Sequence, residues 1–139
     1  MPSLDNRYSD TNLVTHNNLS HTCYAFKDWN EVNSKFNLNK ETLDTLFLDE
    51  IQFMDTKDTL KNIEIILNKG INVVCAGLDQ DSRGQPWETS SMILGLSDKI
   101  IKIYGFCSIC GQEATKTFRK IEGGDRTYVG ASNAYEPRC

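Results

Sequence analysis

No basic block or stripe interrupts these 139 residues, and the formal net charge is −4. Broad binding to a nucleic-acid backbone needs clustered Lys and Arg, so nucleic acid is not an expected partner. No apolar run approaches the roughly 18 residues that a membrane span requires, so no membrane partner is expected either. The first residues lack the basic stretch and apolar core of a signal peptide, which leaves a cytoplasmic location as the default expectation. No internal repeat and no low-complexity tract is found. What is present is a 39% hydrophobic, 24% charged composition, that of a soluble globular protein with one domain and at most a small appendage.

Residues 46–53 read Leu-Phe-Leu-Asp-Glu-Ile-Gln-Phe. The apolar run is that of a strand buried on both faces of a parallel sheet. It ends in two adjacent carboxylates, Asp49 and Glu50. Ligands of open α/β sheets lie just beyond the carboxyl ends of the strands. An acidic pair there can hold magnesium on a nucleotide and take a proton from an attacking hydroxyl. The same pattern also ends an ordinary strand where charge meets solvent.

Around this strand the pattern alternates. Residues 1–20 are polar and turn-rich. Residues 21–26 suggest a strand. A short helix over 28–36 is capped by Asp28, with Trp29, Val32 and Phe36 on one face. Asp55 or Thr56 caps a helix running to residue 69, with Leu60, Ile63, Ile66 and Leu67 as its apolar stripe and Gly70 as its stop. Residues 71–76 form the next buried strand, 77–87 a loop, 90–96 a short helix and 99–106 another strand. This is the order of an α/β fold with a largely parallel sheet. From residue 107 the character becomes β-rich, with an alternating run over 114–118 and a Gly-Gly turn at 123–124.

Of five cysteines, Cys23 and Cys75 lie in strand-like runs and are expected to be small core residues. Cys107 and Cys110, followed by Gly111, have the spacing of a zinc knuckle, because the tight turn points both sulfurs at one ion. Cys139 is a candidate third ligand. His16 and His21 lie far upstream and are expected at exposed positions. A redox pair, or two unconnected thiols, would give the same Cys-x-x-Cys spacing.

The acidic strand end, the loop Gly77-Leu-Asp-Gln-Asp-Ser-Arg-Gly-Gln-Pro-Trp87 and the cysteine turn occur in an order that resembles the zinc-containing (type II) thymidine kinase family. Pro2-Ser-Leu-Asp-Asn-Arg-Tyr8, Val14-Thr-His-Asn17 and Val129-Gly-Ala-Ser-Asn-Ala-Tyr135 are similar to further stretches of it, so the likeness spans nearly the whole chain. The resemblance implies a P-loop (RecA-like) α/β kinase core over 1–105 and a small β-rich, zinc-binding lasso domain over 106–139. It also implies transfer of the ATP γ-phosphoryl group to the 5′-hydroxyl of thymidine, usually in a homotetramer.

The resemblance also assigns roles. Glu50 matches the catalytic base and Asp49 the aspartate that holds magnesium with ATP. Arg7, with Asp5, matches an Asp-x-Arg pair near the catalytic carboxylate, though a surface ion pair would look the same. Phe53 and Leu78 match apolar walls of the nucleoside pocket, where ordinary core packing would also put apolar residues. Thr117, Tyr128, Val129, Gly130 and Tyr135 match positions around the base, read there mainly by backbone groups. Cys107, Cys110 and Cys139 match three of four structural zinc ligands.

Three departures stand out. The family's Gly-x-x-x-x-Gly-Lys-Ser/Thr loop, whose backbone N–H groups and lysine hold the phosphates, occurs nowhere in the 139 residues. The fourth zinc ligand would fall beyond Cys139. Ser82 stands where an aromatic side chain usually stacks on thymine. The chain is therefore expected to be a truncated or split form, inactive alone, with a separate P-loop-bearing fragment as a partner. A non-catalytic, zinc-stabilised nucleoside-binding or interaction module is the alternative. An ATPase of the helicase type would also carry Asp-Glu-Ile-Gln, but the acidic charge argues against a nucleic-acid groove.

Overall fold

The computed structural model describes residues 12–14, 20–36, 38–39, 41–128 and 133–139, and it is mixed α/β. The chain divides into two compact units, Met1–Gly77 and Leu78–Cys139. Among the described residues, one small sheet is parallel and three are antiparallel, each of two strands. No described helix is long and apolar enough to cross a membrane.

In the first unit, β1 (Asn12–Val14) pairs antiparallel with β2 (Ser20–Thr22). The strand expected over 21–26 is thus confined to its first two residues. Helix α1 (Trp29–Lys35) starts where Asp28 accepts from the amides of Asn30 and Glu31 at 2.9 and 3.0 Å. That satisfies two of the donors a helix leaves open at its start. Helix α2 (Thr56–Asn68) begins in the same way, with Asp55 accepting from Asp58 N–H. It ends on Gly70 (φ 76°), whose amide donates to Leu67 O while Ile71 N–H donates to Ile66 O. This double closure requires a left-handed residue and brings Ile66 and Ile71 together. Both are almost fully buried. Leu67, assigned to the apolar stripe, is half exposed.

Strands β3 (Thr45–Leu48) and β4 (Asn72–Cys75) pair in parallel, with Phe47 opposite Val74. The expectation that β3 is buried on both faces is corrected here. Leu48 is buried, but Phe47 is 74% exposed and Val74 46%. Side chains alternate between faces along a strand, so this sheet has one covered face and one open face. Cys23 and Cys75 are both only half-buried, against the expectation of core thiols. Burial pushes the Cys75 thiol up to about 11.

In the second unit, α3 (Glu88–Leu96) is followed by the hairpin of β5 (Gly105–Phe106) and β6 (Glu113–Ala114). Strands β7 (Lys116–Arg119) and β8 (Tyr135–Arg138) pair antiparallel. The strand expected over 99–106 keeps only its last two residues. Residues 99–104 enter no ladder among the described residues, and Ile101 and Ile103 are exposed. An apolar run has the propensity for a strand, but a strand exists only with a partner for its N–H and C=O groups.

One buried polar contact links the two helices of the first unit. Trp29 Nε1–H donates to Thr59 Oγ1 at 3.0 Å, and Thr59 is fully buried. Thr59→Val keeps the shape and removes the acceptor. It is expected to cost about 1–3 kcal/mol in urea unfolding, because the indole N–H is left unsatisfied; no measurable change would show that the contact contributes nothing.

Candidate functional site

The acidic pair lies at the end of β3, where the ladder to β4 is interrupted and resumed. Ala76 N–H donates to Leu48 O at 2.8 Å, and Ile51 N–H donates to Ala76 O at 3.2 Å. Both flanks of the pair are thus tied to one residue, and Asp49 and Glu50 must fit between them. The backbone does so by placing Glu50 at φ 56°, ψ 40°. It is the only non-glycine residue with positive φ among the described residues. That conformation costs an L-residue about 1–2 kcal/mol. It persists only where the surroundings over-determine it, and such residues cluster at functional sites.

Both carboxylates are half-buried. Asp49 Oδ1 accepts from Glu50 N–H at 2.9 Å. A 3-10 turn, Ile51–Phe53, follows immediately and places Gln52 behind the pair. Gln52 is buried, and its Nε2 donates to Glu50 Oε2. The carboxylate at the strand end therefore has one oxygen held by a buried amide. Phe53, matched to the nucleoside wall, is half-buried in the same turn.

The second unit holds the remaining described candidates. Leu78 is 47% exposed. Ser82 lines a hollow of about 200 Å³ with Arg83, Phe118, Arg119, Ile121 and Gly123. Thr117 lies on β7 opposite Pro137. Tyr128 is exposed, and its carbonyl accepts from Tyr135 Oη–H at 2.9 Å. Two candidates are thereby brought together across the β7–β8 connection. Arg7, Asp5, Val129 and Gly130 lie outside the described residues, as do all of 2–8 and 15–17.

Cys107, Cys110 and Cys139 converge, with their sulfurs all within 4.8 Å of one another. Two hydrogen bonds shape the turn, Cys107 N–H to Gln112 O and Gly111 N–H to Cys107 O, with Gly111 at φ 73°. Ser108 N–H donates to Pro137 O at 3.0 Å, which brings the end of β8, and with it Cys139, to the knuckle. The backbone amides of Cys110, Ile109 and Cys139 point at the Cys107 sulfur and lower its thiol from 9.0 to about 6. The Cys139 thiol is raised, chiefly by its contacts with Cys107 and then Cys110. The sulfurs of Cys110 and Cys139 are 3.7 Å apart. Zinc–sulfur bonds of about 2.3 Å in a tetrahedron put sulfurs about 3.8 Å apart, so the set fits three corners of such a site. Among the described residues no fourth Cys, His, Asp or Glu joins it.

Sequence reasoning missed Gln52, Asp81 and Arg126. Asp81 is buried; its Oδ1 accepts from the amides of Arg83 and Gln85, and its Oδ2 from Arg126 Nε–H at 2.8 Å. Burial alone would raise its pKa, but the two amides and the guanidinium outweigh it and hold the carboxyl below its usual 3.8. An Asp followed by a Gly-containing turn is a local signal that could have flagged Asp81. Arg126 has no such signal, because its partner is 45 residues away.

The family model for thymidine kinase matches residues 1–139, and the chain belongs to the thymidine kinase family.

Gly77, just after β4, is the neighbour that most constrains the acidic segment. A Cβ there would meet Gln52 Oε1 at 2.5 Å, Ile51 Cγ1 at 2.8 Å and the Ile51 amide nitrogen at 3.1 Å. Gly77→Ala is expected to displace the 51–52 segment and cost about 1–3 kcal/mol of stability, as overpacking does. An unchanged denaturant midpoint would mean that the two segments do not approach this closely.

Proposed function

We propose that this chain forms the nucleoside-side part of a thymidine kinase, which phosphorylates thymidine to thymidine monophosphate with ATP in nucleotide salvage. The observation that carries the reading is Glu50, a carboxylate in left-handed backbone at a strand end, with one oxygen on a buried amide. A general base must be held in one place, within reach of the proton it takes. Glu50 accepts the 5′-hydroxyl proton as the phosphoryl group arrives. Asp49 is the residue to hold magnesium, which when bound neutralises charge on the triphosphate oxygens. Arg7 and Asp5 orient the carboxylate or offset phosphate charge. Phe53 and Leu78 wall the nucleoside, and Ser82, Thr117, Tyr128, Val129, Gly130 and Tyr135 surround the base.

In this reading residues 1–105 belong to the P-loop kinase core and 106–139 to the zinc-binding lasso domain. Zinc is structural, held by Cys107, Cys110 and Cys139 with a fourth ligand from elsewhere. The phosphate cradle comes from a P-loop-bearing segment, since no Gly-x-x-x-x-Gly-Lys-Ser/Thr occurs in these residues. The active assembly is a cytoplasmic homotetramer, as the family usually forms. The 139-residue polypeptide by itself is expected to be inactive.

Two measurements test this. With a P-loop-bearing polypeptide supplied, the wild-type chain is expected to produce thymidine monophosphate. Glu50→Gln should then lower turnover by about 10²- to 10⁴-fold, the usual contribution of a positioned base; undiminished turnover would remove Glu50 from the chemistry. Separately, the purified chain is expected to carry zinc at one equivalent, and Cys110→Ser to lose most of it. Metal content unaffected by that substitution would refute the cysteine site.

A further inference from the structure

The loop 78–87 and the segment leading to Tyr128 are joined by one arginine that makes several contacts at once. Arg126 Nε–H donates to Asp81 Oδ2 at 2.8 Å. Its Nη2 donates to Pro86 O at 2.8 Å and Gln85 O at 3.2 Å. Its Cζ lies over the Trp87 ring, 4.0 Å from the centroid. Asp81 is itself fixed, its other oxygen taken by two backbone amides of its own loop. Two further ties run alongside, Arg83 Nη2 to Gly124 O at 3.3 Å and Lys116 Nζ to Gln80 Oε1 at 2.7 Å. Beyond Arg126 the chain is caught again, by Tyr135 Oη–H on the Tyr128 carbonyl and by Arg119 over the Tyr128 ring at 4.9 Å.

We propose that Arg126 is a positioning residue, which sets the chain path at Tyr128, and so the base-reading backbone, by latching it to Asp81 and Trp87. It touches neither substrate nor reacting atoms. The inference deepens the thymidine kinase reading and, in its substrate part, rests on it. Three features argue for a latch rather than a surface ion pair. The acceptor carboxylate is buried while the arginine is 43% exposed, so the pair is anchored at one end. Nε and Nη2 serve the carboxylate and two carbonyls together from one rigid fork, which guanidinium has and ammonium lacks. The position of Arg126 over the Trp87 ring adds a cation–π contact, which arginine makes more often than lysine. A surface pair without these features contributes little and is restored by any cation.

The test uses the 139-residue chain and its Arg126→Gln and Arg126→Lys variants, with hydrogen exchange read on peptides covering 120–128. Far-UV dichroism and metal content check that each variant folds. Exchange in this segment is expected to be at least tenfold faster in Arg126→Gln, and Lys is expected to restore less than half of the protection. Unaltered exchange in Arg126→Gln, or full rescue by Lys, would overturn the latch. Calorimetric titration with thymidine is run on the same three proteins. At least tenfold weaker binding by Arg126→Gln supports the positioning role, and equal binding by all three overturns it. If none binds thymidine, the nucleoside reading fails, and exchange alone decides whether the latch exists.

Discussion

The constraint on which the candidate site depends is the double use of Ala76. Its amide closes the ladder on Leu48, and its carbonyl takes the amide of Ile51. Between these two fixed points the chain must pass Asp49 and Glu50, and the left-handed conformation of Glu50 is how it does so. The strain is local and small beside the bonds that impose it: about 1–2 kcal/mol against two backbone hydrogen bonds and a buried amide contact. Gly77 belongs to the same arrangement, because a side chain there would occupy the space of Gln52. The end of β4 thus dictates the geometry at the end of β3. A carboxylate held this way has fewer positions to sample than one on a free loop, and limited sampling is what a general base requires.

The second unit solves a different problem with similar means. Its segments have little regular structure, and its strands are two to four residues long. Hydrogen bonds outside the strand ladders carry much of the organisation. The knuckle is fixed to β8 through Ser108 and Pro137, and the loop at 78–87 is fixed to the segment before Tyr128 through Arg126. Three sulfurs converge at the knuckle, and the backbone amides around Cys107 lower its thiol to about 6.

Much of this was legible where the physics is local. Asp28 and Asp55 announced α1 and α2 because an N-cap depends on the next three residues. Gly70 announced the end of α2 because a left-handed terminus favours glycine. The Cys-x-x-Cys-Gly turn announced the knuckle, and its sulfurs do converge with Cys139. Failures came where the deciding partner is remote. The open face of β3, with Phe47 exposed, cannot be read from an apolar run, because burial depends on what lies opposite. The run over 99–106 has strand propensity, yet only Gly105 and Phe106 find a ladder. The conformation of Glu50 is set by Ala76, and no property of Glu predicts it. Arg126 is one of several exposed cations in the sequence until Asp81 is placed beside it.

These failures share a cause with the proposed mode of recognition. A base read by backbone groups leaves the side chains at the reading positions free to vary, so their identities reveal little. The information moves into whatever fixes the chain path. Here that is a buried aspartate and a planar cation before Tyr128, with the Tyr135 hydroxyl on the Tyr128 carbonyl. Ser82 sharpens the point. In the proposed reading Ser82 stands where an aromatic would stack on the base, worth on the order of 1–3 kcal/mol in other base-binding proteins, so discrimination would rest more on the path of the loop. On the proposed reading, a chain that lacks a stacking side chain and holds its loop with the contacts of Arg126 would shift selectivity from surface to geometry. In such a site, residues that never meet the ligand set its specificity.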